Sequence, residues 1–394
     1  MKNKAVILGA NYYIGLSIAR CLGRHGIPVT GVDYNETGTY AFKSKYMTEK
    51  LMAPDFKADP KAYVECLIDY AKKQDLKPVL FPCADPYVEV IDNHLADLKE
   101  YYHINMTQAG LFTDLMDKNK LHDIALDHGV LVPETLRVDD ENFYDRVEKE
   151  LGYPCIVKPS DSHAFVSVFR RKMFKVSSKE ELQEAVEKSN SNKLEVIVQR
   201  IIPGFDDHMY TFDAHLDQNS KVTHYMTCNK NRQYPINFGA SVFTKQVHVQ
   251  DLYDIGAPFL EAVGFKGFAE IEFKKDALTG KYYLIEINVR TTNLNVLLEQ
   301  VGINFPLVAY KELVGEDIGK NYLETTSGRT FVYGFEDALA IKGYLKTKQL
   351  TLGQVFKSHF TKKAYAIWSI DDPKPYFSYM AFLGGKVLKK IRRK

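Results

Sequence analysis

Short apolar runs closed by glycine, proline or an acid punctuate the first quarter of the chain. Ala5 to Leu8 is continuously apolar, as in a parallel strand buried on both faces. Gly9 and Gly15 bracket a turn, and Ile14, Ile18 and Leu22 then fall on one helical face. Val29 to Asp33 is the next strand, ending in an acid. Residues 62–72 carry a helical pattern, and "KPVLFPCAD" (77–85) is a further buried strand ending in Asp85. Repeated strand–helix units predict an open parallel sheet over about the first 110 residues. Ligands in such sheets bind beyond the carboxyl ends of the strands. Asp33 and Asp85 are therefore candidates for a substrate site, with surface capping as the alternative. The glycine spacing is G-x5-G, not the dinucleotide pattern G-x-G-x-x-G, so a βαβ scaffold is the simpler reading of this turn.

The pattern changes near Leu111. "DLMDKNKLHDIALDHGV" is a helix running into a glycine turn, and Pro133 opens an extended segment. "YPCIVKPS" (153–160) is a strand with Lys158 near its end. "RRKMFKV" (170–176) is another strand, and "SSKEELQEAVEKS" (177–189) a helix opened by Ser178 and Glu181 in capping-box spacing. "LEVIVQRIIPG" (194–204) is a strand running into a Pro-Gly break. Segments 209–217 and 221–232 form an antiparallel pair joined through Asn219. "FAEIEFKKD" (268–276) and "KYYLIEINVR" (281–290) form a hairpin through Leu278–Gly280. Strand pairs with helices interspersed predict an α+β arrangement for this second half, distinct from the first sheet.

The hairpin carries unusual chemistry. Strand side chains alternate, so Glu286, Asn288 and Arg290 share one face, and so do Glu270 and Glu272. On antiparallel neighbours these faces can adjoin. Several carboxylates together repel one another unless a cation lies between them. Hard oxygen ligands of this kind suit Mg²⁺, which is usually completed by substrate phosphates. A solvated face with Lys274 and Arg290 as counter-charges is the alternative. Lys118, at a helix start, and Lys158, at a strand end, supply cations of the kind a phosphate site needs.

Composition narrows the class. The chain has 394 residues, 45% hydrophobic and 26% charged, with a formal net charge of +2. That balance argues against nucleic acid as a partner. The five cysteines lack CxxC spacing, so neither a zinc site nor a disulfide framework is expected, and a cytoplasmic compartment is the simplest reading. No apolar run approaches the ~20 residues of a membrane span. The end of the chain stands apart: six of the last nine residues are basic, preceded by aromatics and leucine in "YFSYMAFLGG". Such a tail can lie on an anionic bilayer at the inner face of the membrane, or simply be solvated. Gly384 and Gly385 are expected to interrupt any helix there.

The order "MDK…GVLVP", "GYPCIVKPS", "VIVQRIIPG", "GFAEIEF", "YLIEINVR" resembles the ATP-grasp superfamily of carboxylate–amine ligases over about residues 111–315. The resemblance implies a Rossmann-like parallel-sheet domain at 1–110, followed by a two-lobed ATP-grasp domain. Its small lobe with linker would be 111–195, its large lobe 196–320, and a C-terminal segment would occupy 321–394. It implies ATP and two Mg²⁺ ions as cofactors, with Mn²⁺ able to substitute. Lys118 and Lys158 would contact phosphate. The segment Gln199, Arg200, Ile201 and Ile202 would be the adenine hinge, and Asp206 or Asp207 would take the ribose. Glu272, Glu286 and Asn288 would hold metal. Arg290 would steady the transferred phosphate or the substrate carboxylate. One departure is the lid after Lys158: "SDSHAFVSVFRRK" has no glycine, so Ser160 and Ser162 hydroxyls and the Lys172 charge would stand in for backbone N–H groups.

Within the superfamily, "LFPCADPYVEVIDNH", "NRQYP" and "SIDDPKPYF" are most similar to the D-aspartate ligase subfamily. That similarity implies activation of a small amino acid's carboxylate and transfer to an amine on a peptidoglycan or envelope precursor, with Lys230 and Arg232 lining the acid or phosphate pocket. His163, His208 and His215 are candidates for assisting the amine, with packing roles as the alternative. A dipeptide or other small-molecule amide ligase and a non-catalytic nucleotide-binding protein are the other readings. Partners would be an acid and an amine acceptor, with a second copy of the chain as a further candidate.

Overall fold

The computed structural model describes residues 1–35, 39–159 and 162–391. Its first sheet holds β1 (Ala5–Leu8), β2 (Val29–Asp33), β3 (Glu49–Met52) and β4 (Val79–Pro82), all parallel, in the order β3-β2-β1-β4. Every residue of β1 and β2 is buried. The alternation of a strand splits their contacts: Val6 and Leu8 pack toward Tyr63, Val64 and Leu67 of helix Pro60–Ala71. Ala5 and Ile7 pack toward Ile14, Ile18 and Leu22 of helix Tyr13–Gly23. The run 77–85 is not one strand. It ends at Pro82, and Asp85 begins the helix Asp85–Asn93. Pro86 explains the switch, since proline fits the first turn of a helix, where its missing N–H costs nothing.

The second sheet is antiparallel and small: β5 (Thr135–Arg137), β6 (Cys155–Pro159), β7 (Phe174–Val176) and β8 (Val196–Arg200), in the order β5-β8-β6-β7. The strand expected over 170–176 shrinks to its last three residues, and a helix, Ser162–Phe169, occupies the stretch before it. Aromatic contacts account for this. Phe165 is fully buried and packs on Phe169 at 4.7 Å and on Phe174 at 5.1 Å, an i,i+4 pairing that favours helix. The helix Lys179–Ser191 opens with the Ser178 side chain accepting from the Glu181 N–H at 3.3 Å, but the Glu181 carboxylate takes the Ser177 N–H, at 2.7 Å, so the reciprocal half of the capping box is displaced by one residue.

The third sheet is the largest. It contains β9 (Met209–Leu216), β10 (Val222–Tyr234), β11 (Ala240–Gln246), β12 (Gly267–Lys275), β13 (Tyr282–Asn288), β14 (Asn321–Tyr322), β15 (Thr330–Val332) and β16 (Lys363–Tyr365). The order is β13-β12-β9-β10-β11-β15-β16, with β14 on β10. The turn between β9 and β10 is held by Asp217 Oδ1, which accepts from the N–H groups of Asn219 (2.8 Å) and Lys221 (2.9 Å). Residues after 330 return to the body of the molecule. Helix Gly334–Lys346 packs on β10 and β11. Helix Lys374–Ile391 runs through Gly384 and Gly385 without a break, against expectation. Glycine costs a helix interior about 1 kcal/mol relative to alanine. Packing of the helix outweighs this: Tyr379 is buried against Tyr40 at 5.2 Å, and Leu383 packs on the same core.

Candidate active site

The hairpin of β12 and β13 sets Glu270 opposite Asn288 and Glu272 opposite Glu286. Asn288 Nδ2 donates to Glu270 Oε1 at 3.0 Å, and Thr292 Oγ1 donates to Glu270 Oε2 at 2.7 Å. On the other side β9 places Asp213 beside Glu270 and Thr211 beside Glu272. Lys230 reaches over from β10 and donates to Glu272 Oε1 at 2.5 Å. The polar face thus belongs to the interior of the large sheet and is not a solvated surface: Glu270, Glu272 and Lys230 are each at least nine-tenths buried.

Burial and charge divide these groups. The Glu272 carboxyl is pushed up to about 7, by burial first, with Glu286 and Glu270 adding to the rise against the pull of Lys230. Burial also works against ionisation of Glu286, but the ammonium groups of Lys230, Lys172, Lys118 and Lys158 outweigh it and hold that carboxyl below its usual range. Lys158 falls to about 8, through burial and then the neighbouring Lys118. Asp213, fully buried with Oδ1 unpartnered, is raised well above the carboxylate range by burial and by Glu270. Four lysines from four separate segments around one glutamate form a site waiting for anionic oxygens.

Except for Asp213, which is buried beside Glu270, these groups open on one cavity of about 1280 Å³. Lys118, Lys158, Gln199, Arg200, Ile201, Ile202, Asp206, Lys230, Glu272, Glu286, Asn288 and Arg290 line it. β8 ends at Arg200, so the backbone of Ile201 and Ile202 leaves the sheet at the cavity wall. Arg200 itself turns outward to Glu134 (2.9 Å), and Gln199 Nε2 donates to Thr135 Oγ1 (3.0 Å). The chain then turns at Gly204, φ +119°, where a Cβ would meet the His208 ring at 2.7 Å.

Other sequence candidates lie elsewhere. Arg232 does not line the cavity. Register shifts on either side of Arg232 break the alternation between Lys230 and Arg232. The guanidinium therefore turns the other way, to Asp337, at 2.6 and 2.7 Å, over the face of Phe243. It is a buried structural pair and not part of the acid pocket. Asp206 is fully engaged as an acceptor from Gln233 Nε2 (2.9 Å), the Asn237 N–H (2.8 Å) and the Tyr344 hydroxyl. Asp207 is exposed and bonded to His208 Nδ1 at 2.8 Å. Ser160 lies outside the described residues. His215 is buried against Glu312 (2.8 Å), and neither it nor His208 lines the cavity.

The first sheet contributes as well. At Gly9 the Tyr87 ring packs where a side chain would stand, since a Cβ there would meet the ring at 2.3 Å. Asp33 caps its own loop, accepting from the N–H groups of Asn11 (3.0 Å), Tyr34 (2.9 Å) and Asn35 (3.1 Å). Asp85, by contrast, lines the cavity and accepts from Arg290 Nε at 2.7 Å. Sequence reasoning undervalued Asp213, Thr292 and Lys172, whose placement depends on pairings between distant strands. For Asp213 a signal existed: in "MYTFDAHLD" it is an acid flanked directly by Phe212 and Ala214 in the middle of a strand.

The donor set fits Mg²⁺ bound together with a nucleotide. Among the described residues no three His, Cys, Asp or Glu side chains form a metal cage by themselves. Glu272, Glu286 and Asn288 are hard oxygen donors on facing strands, and Lys230 supplies the positive charge that Glu272 requires. A site of two carboxylates and an amide, ringed by lysines, needs phosphate oxygens for completion.

Residues 123–306 match the family described as the D-ala D-ala ligase C-terminus. The chain is 28% identical to the D-aspartate ligase of Enterococcus faecium over 291 residues, 70% of this chain and 68% of that one. It is 27% identical to a D-alanine–D-alanine ligase of Neisseria meningitidis over 181 residues, 44% of this chain and 57% of the relative's length. In three dimensions it is similar to the biotin carboxylase domain of 2-oxoglutarate carboxylase from Hydrogenobacter thermophilus, solved with Mg-ADP. The TM-score is 0.66 at 16% identity, covering 83% of this chain and 73% of that one.

Proposed function

We propose that the chain, whose residues 123–306 match the D-ala D-ala ligase C-terminus and which is similar to D-aspartate ligase, is an ATP-grasp carboxylate–amine ligase that joins a small amino acid's carboxylate to an amine with ATP and Mg²⁺, through an acylphosphate. One observation carries this reading: the ionised Glu286 stands among four lysines, facing Glu272 and next along the strand face to Asn288, in a cavity large enough for a nucleotide and a second substrate. When bound, Mg²⁺ would neutralise phosphate charge and align the γ-phosphate. Glu272, Glu286 and Asn288 would hold it. Lys118 and Lys158 would bind the phosphate chain, and Lys230, anchored on Glu272, would stand beside the transferred group. Arg290, fixed by Asp85, would orient the substrate carboxylate as its oxygen attacks the γ-phosphorus and ADP leaves. The amine would then attack the acyl carbon, and phosphate would leave. This route calls for no nucleophilic side chain, and the cavity lining supplies none of the Ser–His or Cys–His kind.

The adenine would lie against the Ile201–Ile202 backbone. Of the two ribose candidates, Asp207 is the one with a carboxylate open to solvent. We read the chain as a 1–110 domain, lobes at 111–195 and 196–320, and a 321–394 segment. The likeness to D-aspartate ligase supports an amino acid such as D-aspartate as the acid and an envelope-precursor amine as the acceptor. In keeping with such an acceptor, the basic tail would rest on an anionic membrane; among the described residues no helix is long and apolar enough to cross one. A dipeptide ligase would share the same site and differ only in its acceptor. ADP release measured across D- and L-amino acids, with and without a muropeptide acceptor, tests the proposal. Release stimulated by one acid and amine together supports it, and release indifferent to every amino acid opposes it.

A further inference from the structure

Helix Leu352–Ser358 has no buried residue. Leu352, Phe356 and the following Phe360 recur at a spacing of four and are 73%, 67% and 75% exposed. This spacing stacks side chains on one face of a helix. The two phenylalanine rings meet edge to face, with centroids 5.0 Å apart. The element is well formed: Thr351 and Gln354 complete both halves of a capping box, and Lys363 Nζ donates to the carbonyls of Ser358 (3.0 Å) and His359 (2.9 Å) at its far end. A capped helix that buries none of its own apolar face gains nothing from that face within the molecule.

Charge identifies the occupant. From Ala338 to Ile370 the sequence contains six lysines and no aspartate or glutamate. Lys363 is used in closing the helix. Lys342, Lys346, Lys348, Lys357 and Lys362 are exposed, and among the described residues none of them enters an ion pair. Apolar anchors set in a purely cationic stretch match an anionic bilayer interface, where the rings enter the acyl boundary and the ammonium groups meet headgroup phosphates. An ordinary protein partner would more often face charges of both signs.

We infer that helix Leu352–Ser358 with Phe360 is a membrane-docking surface for anionic lipid. It acts independently of the basic C-terminal tail and would hold the active site near a lipid-borne amine.

The test uses full-length protein and sedimentation with vesicles of equimolar phosphatidylcholine and phosphatidylglycerol, compared with phosphatidylcholine alone. Wild type is expected to bind the anionic vesicles at low salt and to release at about 1 M salt, where the Debye length is about 3 Å. Leu352→Ser/Phe356→Ser/Phe360→Ser should lower the partition coefficient at least about tenfold, with ADP release on soluble substrates unchanged. If the triple variant fails to fold, Phe356→Ser alone serves, with a smaller loss expected. Equal binding by wild type and variant would overturn the inference and leave the tail as the anchor, and so would absence of wild-type binding. Self-association of wild type that the variant loses, measured by sedimentation velocity, would reassign the face to contact between copies. None of these outcomes depends on the ligase assignment, which ADP release tests separately.

Discussion

Glu272 and Glu286 face one another across two strands, yet their surroundings drive them apart in acidity. Glu272, at about 7, holds a proton over much of the range in which Glu286 is already charged. Metal binds the ionised carboxylate, so the proton on Glu272 competes with it. Mg²⁺ affinity in the presence of ADP is therefore expected to rise from about pH 6 to about pH 8 and then flatten. Calorimetric titration at several pH values measures this, and Glu272→Gln should abolish the rise. Lys158 has the opposite slope. Burial and the neighbouring Lys118 lower its pKa to about 8, so its charge is lost as pH increases further. Lys158→Ala should weaken ATP binding by about 1.5–3 kcal/mol, the worth of a charge-assisted contact, with little change in affinity for the acid. Unchanged nucleotide affinity would remove Lys158 from the phosphate site.

At the scale of elements, local pattern was informative and long-range placement was not. The alternation in "FAEIEF" and "YLIEINVR" shows which residues share a face and that the two faces can adjoin, because neighbouring strands joined by a short turn pair locally; the pairs themselves, Glu270 with Asn288 and Glu272 with Glu286, come from the register of the fold. The pocket role that the subfamily likeness implies for Arg232 does not match its placement: the irregular register on either side of it turns this side chain toward Asp337, and a bulge leaves no mark in the spacing of residue types. Helix Ser162–Phe169 is missed because its stabilising partner, Phe174, lies on β7. Likewise the run through Gly384 and Gly385 depends on Tyr379 meeting Tyr40, more than three hundred residues away in sequence. The bulge makes its own prediction. Arg232→Ala leaves Asp337 buried without its partner and should destabilise the fold by about 3–5 kcal/mol. The KM for ATP should be unaffected in the folded fraction. Denaturant titration and steady-state kinetics on one preparation separate the two effects, and a selective rise in KM would return Arg232 to the substrate pocket.

Across the whole molecule, the three sheets converge on one cavity that no single one could form. The small sheet brings Lys158, Gln199 and Arg200, the large sheet brings the carboxylates and Lys230, and the helix after β4 brings Asp85 to Arg290. A net charge of +2 hides a strong asymmetry, since the acid-free stretch 338–370 and the basic end of the chain both belong to the last sixty residues. A chain ending at Leu383 should keep its rate on soluble substrates and bind anionic vesicles more weakly than full length, because each basic residue near such a surface contributes about 1 kcal/mol. Co-sedimentation and ADP release measured side by side check both halves of that expectation.

Transfer through an acylphosphate is the central claim, and it leaves an isotopic record. The oxygen that bridges acid and phosphorus comes from the substrate carboxylate, and it departs with phosphate when the amine attacks. The measurement is mass spectrometry of the phosphate released in turnover with the amino acid that best stimulates ADP formation, its carboxylates labelled with ¹⁸O. One labelled oxygen in each phosphate is the predicted result. Unlabelled phosphate, released while the amide forms, would contradict the account.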